Sequence, residues 1–129
     1  MAQENKSGRD GRPGPRGKAE PGEEQAAAER KAQILKALAH PARVRIFEAV
    51  AKRELTVGEI AALLGAKESI TSRHLALMRT AGLIAARKHG LNVYYSNKMP
   101  CLSAVMPCLD RAVCELADDQ GRIAAGIRR

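Results

Sequence analysis

Apolar residues recur at helical spacing over two adjoining stretches in the first half of the chain. The segment EEQAAAERKAQILKALA combines alanines and long straight side chains with an apolar stripe, which predicts a helix over residues 23–39. Pro41 ends that helix and suits the first turn of a second one, PARVRIFEAVAK, whose apolar residues share one face. The pattern therefore predicts two consecutive helices that meet at a proline.

Two short helices joined by a tight turn are predicted in the middle of the chain. In TVGEIAALLG, Thr56 stands before the first apolar residues and Glu59 follows three positions later. This spacing predicts a capping box, in which each side chain satisfies a free backbone N–H at the helix start. Gly65 suits the end of this helix, and ESITSRHLALMRTAGL predicts another over residues 68–80. The arrangement is typical of a helix-turn-helix motif.

The residues directly behind this motif predict a β-hairpin. LIAARK and LNVYYS have the composition of strands, and the turn between them contains His89 and Gly90 and can include Leu91. A final helix is predicted over residues 101–117. A hairpin that follows a helix-turn-helix is the layout of a winged helix, so the predicted fold class is mainly α with a small β-hairpin wing.

The two ends of the chain differ from this middle region. Residues 1–22 mix Gly, Pro and charged residues with almost no apolar side chains, which predicts a disordered arm. Its five basic and three acidic residues nearly balance, which favours a solvated tail over a dedicated DNA-binding arm. Residues 119–129 are predicted to be a flexible tail. The winged helix-turn-helix domain is accordingly expected over residues 23–118.

The charge of the chain favours a polyanionic partner. Lys and Arg number 22 against 14 Asp and Glu, which gives a formal net charge of +8. Nucleic acid is the first partner that such a charge suggests. The sequence has no apolar run of about eighteen residues and no apolar signal near its start, so we expect a cytoplasmic protein without a membrane partner.

Acidic residues are absent from the segment between Ser69 and Leu109, which holds the second helix of the motif and the hairpin. This absence favours phosphate contact over an ordinary solvated face, which normally mixes charges. Arg87, Lys88 and His89 in the hairpin are the expected contacts to the DNA backbone.

Helical spacing assigns the side chains of the helix over residues 68–80 to two faces. The face expected to pack on the core contains Ile70, His74, Leu77, Met78 and Ala81. His74 is expected to pack there rather than to read bases. The face expected to read DNA contains Ser69, Ser72, Arg73, Ala76, Arg79 and Thr80. Its hydroxyls and guanidinium groups can bind base edges or phosphates.

Four segments resemble the ArsR/SmtB family of winged-helix repressors in their order and spacing: LKALAHPARVRIFEAV, ELTVGEIAALLG, ESITSRHLALMRTAGLI and RKHGLNVYYS. The resemblance covers residues 32–114. It implies a homodimer that represses an operator on double-stranded DNA and releases it when an inducer, usually a metal or metalloid ion, binds. It also adds Thr71 to Ser69, Ser72 and Arg73 as positions that match the family's DNA-reading stretch.

The chain departs from the resembled family at its usual sensing positions. Thr56, Gly58 and Ala61 stand where many arsenic and cadmium sensors carry a cysteine box. No His follows His89, although zinc sensors of the family use His and carboxylates on the last helix. Neither of these metal sites is therefore expected here.

All three cysteines, Cys101, Cys108 and Cys114, lie near the C-terminus. Clustered thiols without histidine favour a thiophilic ion as inducer, such as Sb(III), Cd(II), Cu(I) or As(III), of which As(III) prefers three thiolates. On one unbroken helix Cys101 and Cys108 would lie roughly 10.5 Å apart, too far for a shared ion. Either a break near Met106 brings these two thiols together, or antiparallel last helices place Cys101 opposite Cys114 of a second copy.

Other functions remain open at this stage. A repressor of the same fold could respond to oxidation or persulfides through a Cys101–Cys108 dithiol. A DNA-binding protein without sensing would use its cysteines as small apolar side chains. A thiol enzyme is disfavoured because the sequence has no Cys-x-x-Cys motif and no oxyanion loop closed by Arg after a cysteine.

Overall fold

The computed structural model describes residue 17 and residues 20–124 of the chain. Helices and short strands follow one another in the predicted order, which confirms a winged helix-turn-helix of mainly α class. The elements are α1 (Pro21–Leu38), α2 (Pro41–Lys52), β1 (Leu55–Thr56), α3 (Val57–Leu64), α4 (Glu68–Thr80), β2 (Ile84–His89), β3 (Asn92–Asn97), α5 (Pro100–Ser103) and α6 (Met106–Ala124).

Helix α2 lies at the centre of the hydrophobic core. Its residues Ile46, Phe47 and Val50 are buried, and each large apolar side chain removed from water contributes roughly 1.5–3 kcal/mol. The other residues of this core come from α1, β1, α3, α4, the start of β2 and the start of α6, namely Ala37, Leu38, Leu55, Ile60, Leu75, Met78, Leu83, Ile84 and Met106. One core thus holds the helix-turn-helix, the wing and the start of α6 together.

The helix-turn-helix begins and ends with local signals that the sequence contains. The Thr56 hydroxyl oxygen accepts a hydrogen bond from the backbone N–H of Glu59 at 3.3 Å, so this half of the predicted capping box is confirmed. The other half is wrong, because the Glu59 carboxylate instead accepts from Arg53 at 2.9 Å and from the Thr56 hydroxyl. Gly65 ends α3 with a φ of 63°, which favours glycine.

The wing is part of a three-stranded antiparallel sheet with the order β1-β3-β2. His89 pairs with Asn92 at the tip of the predicted hairpin, where Gly90 adopts a φ of 62° in the turn. Strand β1 was not predicted, because only two residues form it and their partners, Tyr95 and Tyr94, are distant in sequence.

The ends of the domain differ from the predictions. Helix α1 begins at Pro21, and α6 continues to Ala124, so the first part of the predicted flexible tail, residues 119–124, is helical. Most of the predicted arm (1–16, 18 and 19) and residues 125–129 lie outside the described residues. No helix in the described part of the chain is both long and apolar enough to cross a membrane.

Candidate nucleic-acid interface and thiol segment

Helix α4 is rotated relative to the prediction. Its buried residues are Thr71, Leu75 and Met78, which are spaced by four and three positions and share one face. Ile70 and Leu77 are 47% and 43% exposed, so their predicted place in the core is wrong. Only Met78 of the predicted apolar stripe is fully buried. The solvent-exposed face of α4, which can bind a partner, is therefore rotated relative to the predicted one.

Thr71 is not available for DNA contact, and this part of the prediction is wrong. Its side chain is fully buried, and its hydroxyl donates a hydrogen bond to the backbone carbonyl of Lys67 at 3.0 Å. A β-branched residue fits this position because its methyl group packs in the core while its hydroxyl is satisfied locally. Thr71 therefore anchors the first turn of α4 and does not read bases.

The remaining predicted residues of α4 face solvent. Ser69, Ser72, Arg73 and Arg79 are exposed, and Arg73 and Arg79 take part in none of the ion pairs within the described residues. The Thr80 hydroxyl is used internally, because it donates to the carbonyl of Ala76 at 2.9 Å. This face thus offers two guanidinium groups without ion-pair partners among the described residues, beside small side chains and the exposed Ile70 and Leu77.

His74 lies at the inner edge of α4, where the sequence predicts a packing role. Its Nδ1 is 3.5 Å from Nη1 of Arg43, and its ring centroid is 4.6 Å from that of His40. Desolvation lowers the pKa of His74, and the neighbouring His40 and Arg43 lower it further. The His40 ring also accepts a hydrogen bond from the Ala42 N–H at 3.1 Å, which caps α2.

In the wing, Arg87, Lys88 and His89 are exposed at the outer end of β2. Arg87 is not free, however, because its Nη2 lies 2.7 Å from a carboxylate oxygen of Glu54. The hydrogen bond from Arg87 holds the pKa of Glu54 below its ordinary value. Sequence reasoning missed Glu54, since it lies outside the acid-free segment and reaches the wing only through the pairing of β1 with β3.

The three predicted thiol ligands lie on two separate helices. Cys101 is on α5, whereas Cys108 and Cys114 are on α6, and all three are free and exposed. The predicted break near Met106 is present, because α5 ends at Ser103 and α6 begins at Met106. Among the described residues, even so, no group of three or more His, Cys, Asp or Glu side chains is placed to hold one metal ion.

Helix geometry explains why Cys108 and Cys114 do not converge within one chain. Six residues at roughly 100° each turn the second side chain by about 240°, and they separate the two along the axis by about 9 Å. Two thiolates on one ion lie much closer than this distance. Cys108 and Cys114 of one chain therefore cannot bind the same ion.

Helix α6 presents an apolar face that no other part of the described residues covers. Leu109, Val113 and Leu116 are between 52% and 65% exposed, and Leu35 of α1 is exposed beside them. Together with Leu38 and other residues of α1 and α2, α6 lines a groove of about 370 Å³. Contiguous exposed apolar surface of this kind marks an interaction site more often than a free surface.

Comparison with known proteins agrees with this geometry. Residues 40–86 match the sequence profile of the family described as "Bacterial regulatory protein, arsR family". The HTH-type transcriptional regulator YgaV of Escherichia coli K12 is 36% identical over 91 residues, which cover 70% of this chain and 92% of YgaV.

Two solved structures have the same fold. The crystal structure of Rv0081 from Mycobacterium tuberculosis is 32% identical with a TM-score of 0.65, and the match covers 79% of this chain and 98% of that one. The winged helix-turn-helix domain of Mb0332 from Mycobacterium bovis, described as homodimeric, is 25% identical with a TM-score of 0.63 and covers 82% and 94%. The chain therefore belongs to the ArsR family of bacterial transcriptional regulators.

Proposed function

We propose that this protein is a homodimeric repressor that binds operator DNA and releases it when a thiophilic ion, As(III) or Sb(III) before others, binds its cysteine thiolates. The observation that carries the DNA-binding part is the exposed face of α4, where Ser69, Ser72, Arg73 and Arg79 face solvent and neither arginine forms an ion pair within the described residues. The second helix of a helix-turn-helix enters the major groove, so this face would read the operator. Lys88 and His89 of the wing would contact phosphates.

Dimerisation is proposed through the apolar face of α6 and α1. A two-fold interface pairs the same patch of each copy, so the exposed Leu109, Val113, Leu116 and Leu35 would cover one another. The homodimeric description of Mb0332 supports this arrangement. Two reading helices on one dimer would contact half-sites about one helical turn apart.

Sensing is proposed at Cys101, Cys108 and Cys114, because exposed thiols without neighbouring histidines suit soft ions. The separation of about 9 Å between Cys108 and Cys114 along α6 favours a site that two copies complete. With antiparallel α6 helices at the interface, Cys101 of one copy would face Cys114 of the other.

Hydrogen bonds connect the wing with the thiol segment, residues 101–114 of α5 and α6, so a structural change at the thiols could reach the wing. Asn97 at the end of β3 donates to the hydroxyl of Ser103 in α5, and its side-chain oxygen accepts from the Met99 N–H at 2.7 Å. Leu102 of α5 and Met106 of α6 pack against the same core as α2. An ion that repositions α5 would thus displace the base of the wing and weaken DNA binding.

The test is a titration of operator binding, followed by fluorescence anisotropy in the presence of reductant. We expect As(III) to release DNA from the wild-type protein, whereas Cys101→Ser and Cys108→Ser remain bound. Sb(III), Cd(II) and Zn(II) rank the selectivity of the site. Continued DNA binding by the wild type at saturating levels of every ion would contradict thiolate sensing.

A mixture of two variants separates a site between copies from a site within one chain. A heterodimer of Cys101→Ser with Cys114→Ser retains one complete Cys101–Cys114 pair across the interface, although neither homodimer retains any. Recovery of As(III) response in the mixture supports the site between copies. Absence of recovery, with heterodimers verified by mass spectrometry, contradicts it.

A thiol-redox or persulfide-responsive repressor is the second candidate, and the exposure of all three free thiols favours it over buried structural cysteines. Treating the same DNA complex with oxidant or persulfide, without any ion, tests it directly. Release that reductant reverses would support the redox function, whereas indifference to ions, persulfide and oxidants would indicate a DNA-binding protein without sensing.

A further inference from the structure

The ion pair between Arg87 and Glu54 crosses the whole sheet of the wing. Arg87 lies on β2 and Glu54 stands directly before β1, the two outer strands that flank β3. Two strand spacings amount to roughly 10 Å, a distance that the Arg87 and Glu54 side chains span together. The guanidinium carbon lies 5.5 Å from the centre of the Tyr94 ring, on the strand between them.

Tyr94 and Glu54 both hold the Arg87 side chain across the sheet. Tyr94 pairs with Arg87 in the β2–β3 register and with Thr56 in the β1–β3 register, so its ring supports the guanidinium midway. A cation over an aromatic face is attracted to it, and a hydrogen bond of 2.7 Å to a carboxylate is short and charge-assisted. The other ion pairs of the described residues, Arg53–Glu59 and Arg122–Asp119, do not reach the wing.

This ion pair is expected to affect DNA affinity more than folding stability. Both side chains are exposed, and exposed ion pairs contribute little to stability. In a protein that binds a polyanion, however, each cation that neutralises a phosphate raises sequence-independent affinity and its salt dependence. A cation already neutralised by a carboxylate of the same chain adds neither.

We propose that Glu54 is a specificity-determining residue, which rests on the proposed DNA binding: it keeps Arg87 from contacting phosphates and so lowers affinity for non-specific DNA. Lys88 and His89, further out on β2, remain the backbone contacts of the wing. The sequence predicted Arg87 as a contact to the DNA backbone, whereas in this proposal its ion pair with Glu54 prevents that contact.

The experiment measures binding of the full chain to a mixed-sequence duplex by anisotropy over a range of salt concentrations. Glu54→Gln is expected to steepen the slope of log K against log salt by about 0.9 for each wing on the duplex. Between about 200 mM and 50 mM salt, that steeper slope corresponds to a roughly three- to fourfold larger gain in affinity per wing. Arg87→Gln is expected to keep the wild-type slope, and the double variant is expected to match Arg87→Gln.

Glu29→Gln on α1 serves as the matched control, because it removes the same charge far along the chain from the wing and is expected to keep the wild-type slope. The inference is overturned if Glu54→Gln keeps the wild-type slope, if Glu29→Gln steepens it equally, or if Arg87→Gln makes it shallower by about 0.9. Failure of the wild type to bind any duplex would instead overturn DNA binding itself. The Gly90 amide resonance of each variant verifies that the hairpin is folded.

Discussion

The helix-turn-helix and the C-terminal helices of this protein differ in how much of their apolar surface is buried within one chain. Around α2, α3 and α4 most of the large apolar side chains are buried, with Leu63, Ile70 and Leu77 as exceptions, and the start and end of α3 are capped within the chain. Along α6, by contrast, large apolar side chains and two thiols face solvent. The first region, residues 41–80, is packed by side chains of its own chain, and we call it the reading head because it contains the helix proposed to read DNA. The second leaves an apolar surface exposed, which the proposed dimer would bury.

The largest expected effect of this difference is on folding. Phe47→Ala removes a fully buried ring from the centre of the core and should lower the free energy of unfolding by about 3–5 kcal/mol. Leu91→Ala, at a fully exposed position in the wing turn, should change it by less than about 0.5 kcal/mol. Urea unfolding followed by circular dichroism measures both, and similar losses in the two variants would contradict the assigned core.

The next effect concerns assembly. Val113→Glu places a charge on the exposed apolar face of α6 and should raise the dimer dissociation constant at least about a hundredfold, since each copy loses roughly 1.5–3 kcal/mol of apolar burial. The reading head should remain folded. Sedimentation equilibrium measures the constant, with Leu91→Glu as the control for an added surface charge. An unchanged dimer, or a protein that is monomeric without the substitution, would exclude this face as the interface.

A smaller effect separates the two faces of α4. Arg73→Gln should weaken operator binding by about 1–3 kcal/mol, because its exposed guanidinium is free to bind a base or a phosphate. Thr71→Ser retains the buried hydroxyl that donates to Lys67 and should leave affinity nearly unchanged. Anisotropy titrations at one salt concentration compare the two. A greater loss from Thr71→Ser, with the fold intact, would restore Thr71 as a reading residue.

The smallest effect is a pH dependence of the reading head. Because burial lowers the pKa of His74 in the folded state, unfolded chains bind its proton more readily. Stability should therefore be complete above the ordinary pKa of about 6.5 and fall as the pH is lowered through that value. Thermal unfolding between about pH 7.5 and pH 5.5 measures this loss.

His74→Gln should flatten the pH profile of stability, whereas His89→Asn, at an exposed position of the wing, serves as the matched control. His40 and Arg43 face the His74 ring, so the same variant also tests whether this cluster, and not the core as a whole, causes the pH dependence. An identical profile in wild type and His74→Gln would refute the assignment.

The sequence predicted the elements whose signals are local. Pro41, the Thr56 cap and Gly65 act within a few residues of their own positions, and the hairpin forms around Gly90 by the same kind of signal. The resemblance to the ArsR family, read from four short segments, is confirmed by the family profile and the solved structures. The thiol site stays a prediction, because no group of three or more ligands meets within the described residues.

What the sequence alone determined is therefore the elements with local signals, the family and the residue types available for DNA and soft ions. Only the tertiary structure decided which side of α4 is buried. A helix rotated by about one residue would still bury a similar number of apolar side chains, and the packing of α4 against α3, β2 and α2 selects Thr71, Leu75 and Met78. It also decided the partner of Arg87. Glu54 is far from Arg87 along the chain, and the two meet only because a two-residue strand pairs beside the wing.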